Sequence, residues 1–200
     1  MTRIERFPAG DWKGLGAPRI QLPNPRSLSL ITRLVLRRIR ATTKSGSDFN
    51  VFLMLAKSGR IFPGHAVFIS QLLGKTRISE IEKELTILRS AWRLGAHYEW
   101  GHHAHMAGDL GIAPETIAAQ ADPAPRTCAS RIDTLTVVAD ELLATRELGD
   151  DTWAAARRWL SEDELVEACL LVGHYVMVAF ALNATRIDLE PEFAPTGSAR

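Results

Sequence analysis

From Leu28 to Asn183 the apolar residues fall at helical spacing almost without interruption, and no stretch alternates strictly between apolar and polar. A half-buried strand needs that period of two, so a chain with this pattern builds its core by packing helices, and the expected fold class is all-α. Spacing and breakers predict helices over 28–39, 49–56 and 65–73, with Gly59, Pro63 and Gly64 separating the last two. Ser79-Glu80-Ile81-Glu82 has the spacing of a capping box, and Ser161-Glu162-Asp163-Glu164 repeats it ahead of an apolar helix reaching Asn183. Pro114 suits the first position of a short helix, and further helices are expected over 130–148 and 151–160. Residues 1–26 hold four of the ten prolines together with Gly10, Gly14 and Gly16, which excludes a helix there. The expected organisation is an extended arm (1–26) laid over the body or a neighbouring subunit, one all-α domain (27–190) and a tail (191–200).

Composition removes several function classes. Two hundred residues suit one domain with its own core. Lys and Arg number 24 against 23 Asp and Glu, and a pI near 7.9 lies below the range of proteins that bind nucleic acid through a basic face. The two cysteines, Cys128 and Cys169, cannot form a disulfide framework, and the start shows no apolar leader, so a cytoplasmic location is expected. The longest apolar run, Ala168 to Leu182, is fifteen residues and short of a membrane span, so it reads as a buried core helix.

Candidate chemistry comes from ionisable residues on apolar faces. On the helix opened by Ser79, Ile81, Leu85, Leu88 and Trp92 form a stripe flanked by Ile87 and Ala91, while Glu82, Thr86, Arg89, Ser90 and Arg93 project to the other side. Glu84 lies inside the stripe, where a carboxylate needs a partner or a proton. In the next segment Trp100, Ala104 and Ala107 define an inward face that also carries Glu99 and His103, four residues apart. His102, His105 and Asp109 project to the wet side. Two inward carboxylates and an inward histidine on successive helices are what an acid–base site requires. A structural Glu99–His103 pair, or a salt bridge from Glu84 to an arginine of 31–40, is the plainer alternative. Tyr98, Trp100 and His102 are the neighbouring candidates for contacting a substrate.

Other candidates are weaker. His97, His102, His103 and His105 diverge around the helix and no HExxH or CxxC is present, so no metal site is expected. His174 and Tyr175 read as hydrogen-bonded core residues of the last helix, with lining a pocket as the lesser alternative. Cys128 and Cys169 have no adjacent base and read as inert.

The pattern E-L-x-I-L-R-x-A-W-R-L-G-A-x-Y-E-W-x-x-H-x-x-x-A-x-x-x-G-I over 84–112, with L-V-E-A-C-L-L-V-G-H-Y-V-M-V-A-F-A-L-N near the end, resembles the carboxymuconolactone decarboxylase-like proteins, which share a fold with alkyl hydroperoxidase D. The resemblance covers residues 45–190. In the hydroperoxidase branch a Glu and a His relay protons to a C-x-x-C pair. Those positions fall on Glu84 and His103, but the cysteine positions fall on Ala96 and Glu99, so the resemblance implies the branch without a dithiol. It further implies an enzyme without metal or organic cofactor that acts as a lyase or acid–base catalyst on a small carboxylated lactone or related carbonyl compound, assembled as a homodimer, trimer or hexamer. His103 is the expected donor or general acid, Glu99 its orienting partner and Glu84 a proton shuttle. A thiol-dependent peroxidase and a non-catalytic binding protein are the competing expectations.

Overall fold

The computed structural model describes residues 7–43 and 46–194, and the statements below concern those residues. They form nine α-helices: α1 (Leu30–Thr43), α2 (Asn50–Ala56), α3 (Ile61–Leu72), α4 (Glu80–Arg93), α5 (His97–Asp109), α6 (Pro114–Ala118), α7 (Arg131–Thr145), α8 (Asp150–Ala156) and α9 (Glu162–Thr185). Among the described residues there is no strand, only an isolated parallel bridge between Lys13 and Ala96. The all-α expectation therefore holds. Both capping boxes form, Ser79 and Ser161 each exchanging bonds with the Glu three residues on. α3 starts earlier than expected and takes Pro63 and Gly64 into its first turn, where a missing N–H leaves no helical bond unmade.

α4 lies at the centre, packed on α5, α7 and α9. Its middle, Lys83 to Ala91, is buried on every side, including the side opposite the apolar stripe, while Ile81 and Arg93 are exposed. Thr86 and Ser90 return their hydroxyls to the carbonyls of Glu82 and Thr86. Arg89, 1% exposed, holds Asp140 through Nε and Nη2 at 2.7 and 2.6 Å and donates Nη1 to the carbonyls of Gln120 and Asp122. A buried guanidinium with this many acceptors ties α4 to α7 and to the turn after α6.

α9 runs 24 residues and ends at Thr185, two residues beyond the expected Asn183, and by length and composition it would pass as a membrane span although its continuous apolar run is shorter. Half of its apolar window is buried, and it packs on α3, α4 and α7 as a core helix does. The arm crosses the same chain's body: the Lys13 N–H donates to the Gly95 carbonyl at 2.6 Å, and Trp12 meets Trp100 edge-on at 5.7 Å. Gly95 makes this approach feasible, since its φ is +63° and a Cβ would stand 2.2 Å from the Asp11 carbonyl oxygen.

Candidate active site

Residues of α2, α3, α5 and α9, with Thr43 at the end of α1, line a partly open cavity of about 150 Å³. Its walls are mostly aliphatic and aromatic, including Phe49, Val51, Phe52, Leu55, Ile69, Met106 and Val178. The polar groups facing it are Thr43, His65, Glu99, His102, His103 and His174, with Tyr98 and Tyr175. None of the described residues that line it is Arg or Lys.

His103 and Glu84 meet across α4 and α5. His103 Nδ1 lies 2.8 Å from Glu84 Oε2, with both side chains buried. Donation from Nδ1 to the carboxylate leaves a lone pair on Nε2, the arrangement of a general base whose tautomer is set by an acid behind it. Tyr175 of α9 stands edge-on to the His103 ring at a centroid distance of 5.0 Å. Glu84 does not line the cavity. It lines a separate depression on the far side of Leu73 and Met106, with Glu80, Lys83, Asp109 and Leu110. The pair thus connects an outer, polar depression to an inner, apolar cavity.

Glu99 is placed differently from expectation. It does not orient His103 through a hydrogen bond, and both of its carboxyl oxygens are buried without a partner. Burial alone pushes its carboxyl well above the usual carboxylate range, which favours the protonated form. A carboxylic acid held neutral in an apolar pocket is a hydrogen-bond donor in need of an acceptor.

His102 is also corrected. It is buried rather than wet, because the segment after α9 folds back over α5 and brings Glu190 Oε2 to 2.6 Å from its Nε2. Glu190 further accepts from Tyr98 Oη at 2.8 Å and from the Asn50 N–H. Burial alone would raise the Glu190 carboxyl, but these three donors hold it below the ordinary value. Phe193 then lies on His102 and His105, at centroid distances of 4.2 and 5.0 Å. Gly101 admits this strap, as a Cβ there would meet the Leu189 side chain at 2.6 Å. Sequence reading missed Glu190 because it belongs to no periodic segment.

Trp100 turns away from the cavity into the core beside Trp12, so the expectation that it contacts substrate is not met by its position. Tyr98 and His102 do line it. His174 and Tyr175 are not hydrogen-bonded core residues as expected. Both line the cavity, and His174 Nδ1 is buried without a partner. Cys128 and Cys169 lie outside it, and burial pushes the Cys169 thiol up. No group of three or more His, Cys, Asp or Glu among the described residues is arranged to hold a metal ion.

The fold is that of the alkylhydroperoxidase D core. Solved structures similar to the chain include an AhpD-core, uncharacterized peroxidase-related protein from Ralstonia eutropha JMP134 (17% identity, 88% of this chain and 94% of that one, TM-score 0.75). A peroxidase-related protein from Silicibacter sp. TM1040 is similar at 16% identity over 88% of this chain and 96% of that one, with a TM-score of 0.74. The debrominase Bmp8, in complex with 2,3,4-tribromopyrrole, aligns at 16% identity over 86% of this chain and 92% of that one, with a TM-score of 0.68. No model of a protein family and no curated protein matches the chain.

Proposed function

We propose that the chain is an acid–base enzyme that moves a proton to or from carbon in a small carbonyl compound, without a thiol. The observation that carries this reading is the His103–Glu84 pair at the wall of a largely apolar cavity that also holds an unpartnered Glu99. His103 Nε2 takes a proton from the carbon next to a carbonyl, and the pair of electrons moves onto the carbonyl oxygen. Protonated Glu99 donates to that oxygen as charge develops there, in a cavity where low dielectric strengthens the interaction. Reversal at a different carbon gives isomerisation. If the electrons come instead from loss of a carboxylate as carbon dioxide, His103 in its protonated form delivers the proton to carbon and the reaction is a decarboxylation. Glu84 stabilises the imidazolium and exchanges protons with the outer depression.

Two features narrow the substrate. The volume, about 150 Å³, suits a single small ring. The described walls are mostly aliphatic and aromatic, and a weakly charged or neutral carbonyl compound suits them. That Bmp8 is seen with a small substituted pyrrole supports a ring of this size for the fold. The peroxidase reading loses support because neither cysteine lines the cavity. Self-association is proposed as well, supported by an exposed stripe of α9 in which Val166, Leu170, Met177 and Phe180 are 58, 48, 50 and 65% accessible. Light scattering on the purified chain reads it directly.

The lyase form is tested by incubating the protein with γ-carboxymuconolactone in deuterated buffer and following proton NMR. Enol-lactone carrying one deuterium, formed by the wild type and not by His103→Asn, supports decarboxylation. Persistence of the lactone restricts the proposal to proton transfer on other carbonyl compounds.

A further inference from the structure

The acid–base reading uses His103, Glu84 and Glu99 and leaves two further histidines of the cavity wall without a role. His65 of α3 and His174 of α9 stack with centroids 5.0 Å apart and planes 17° apart. Both nitrogens of His65 and Nδ1 of His174 are buried without a hydrogen-bond partner. Stacking explains why they do not satisfy each other: the N–H bond and the lone pair of an imidazole lie in the ring plane, so nearly parallel rings cannot bond face to face. The same geometry disfavours a metal, because in-plane lone pairs on stacked rings run side by side and do not converge on one ion. Three orphaned nitrogens in an apolar wall are a standing cost unless a ligand completes them.

The ligand's chemistry follows from what the pair offers. Burial lowers His65, and burial together with the neighbouring His65 and His103 lowers His174 to about 4, so both rings are neutral at pH 7. Each neutral ring presents one donor and one acceptor, which selects against an anion and suits a group that both gives and takes a hydrogen bond through one atom. A hydroxyl does this. Tyr175 stands edge-on to both His174, at 5.1 Å, and His103, at 5.0 Å, so the two histidines are near enough for one ring-sized molecule to reach both. We propose that His65 and His174 recognise the hydroxyl of an uncharged, ring-shaped substrate whose carbonyl end faces His103. This deepens the acid–base reading and rests on it for the orientation of the substrate.

The test uses phenol, toluene and benzoate as probes with histidine-labelled wild-type protein, following ring nitrogens by NMR and affinity by titration. Phenol is expected to shift the His65 and His174 nitrogens and to bind about tenfold tighter than toluene, the effect of one net hydrogen bond. Benzoate is expected to bind no better than toluene. His65→Phe and His174→Phe are each expected to bring phenol down to the toluene level. Phenol binding no tighter than toluene, benzoate binding tighter than phenol, shifts that spare both histidines, or a phenol preference surviving in both variants would overturn the proposal. The wild-type shifts decide the matter even if a variant fails to fold. Failure of the acid–base reading shows separately, as absence of proton exchange at carbon while the phenol preference persists, also in His103→Asn.

Discussion

His103 Nδ1 lies 2.8 Å from Glu84 Oε2, nineteen residues upstream on the neighbouring helix, and not against Glu99 one turn before it. This separates the roles of two carboxyls that a helical wheel places together. Glu84 has a partner and faces the outer depression, whereas Glu99 has none and faces the cavity.

Removing the Glu84 carboxylate while keeping its shape should release the His103 tautomer. Glu84→Gln is expected to lower turnover by about a hundredfold or more while leaving the helical signal intact. Steady-state kinetics beside circular dichroism check this, and wild-type turnover in the variant would remove Glu84 from the mechanism.

Glu99 should reveal itself as pH rises above the ordinary carboxyl range. Burial raises its folded-state pKa above the unfolded value, so the stability associated with its neutral form is full at low pH and is lost as pH rises through the folded value. Glu99→Gln cannot ionise. Its stability relative to the wild type is expected to increase as pH rises above the ordinary carboxyl range, and urea melts at several pH values measure the difference.

His174 acts in the opposite direction. Its pKa falls from 6.5 to about 4 on folding, so its contribution is present above pH 6.5 and is lost as pH falls toward 4. A shift of that size corresponds to about 3 kcal/mol between the two limits. His174→Phe should flatten this part of the pH–stability curve by a similar amount.

The strap after α9 depends on Glu190, which accepts from Tyr98, His102 and Asn50. Glu190→Ala leaves three buried donors without their acceptor and is expected to cost about 3 kcal/mol. Hydrogen exchange should rise in 187–193 and at the start of α2 before it rises in α4. Uniform exchange across all three would contradict a local latch.

Much of the fold was legible because its signals are local. Capping boxes at Ser79 and Ser161 and the helical spacing depend on neighbours within one turn. Glu84, Glu99 and His103 could be found as ionisable residues on apolar faces for the same reason. Their pairing could not, because which helix lies beside which is decided by packing. Helical spacing puts Arg89 on the side away from the apolar stripe but does not show that α7 supplies Asp140 there, and it puts His102 on the wet side because Glu190 of the strap is distant in sequence. His65 and His174 come from helices more than a hundred residues apart in the chain, and nothing local marks them as neighbours. Trp100 shows the converse: adjacent to Glu99 in sequence, it belongs to the core on the other side of α5.

Proton exchange at carbon tests the chemistry most directly. Small cyclic ketones and lactones would be incubated with wild type and His103→Asn in deuterated buffer, and deuterium at the carbon next to the carbonyl followed by NMR. The expected result is enzyme-catalysed incorporation with at least one of these compounds, reduced by a hundredfold or more in His103→Asn. Incorporation at equal rates with both proteins, or none above the buffer rate with any compound, would contradict an acid–base site built on His103 and Glu84.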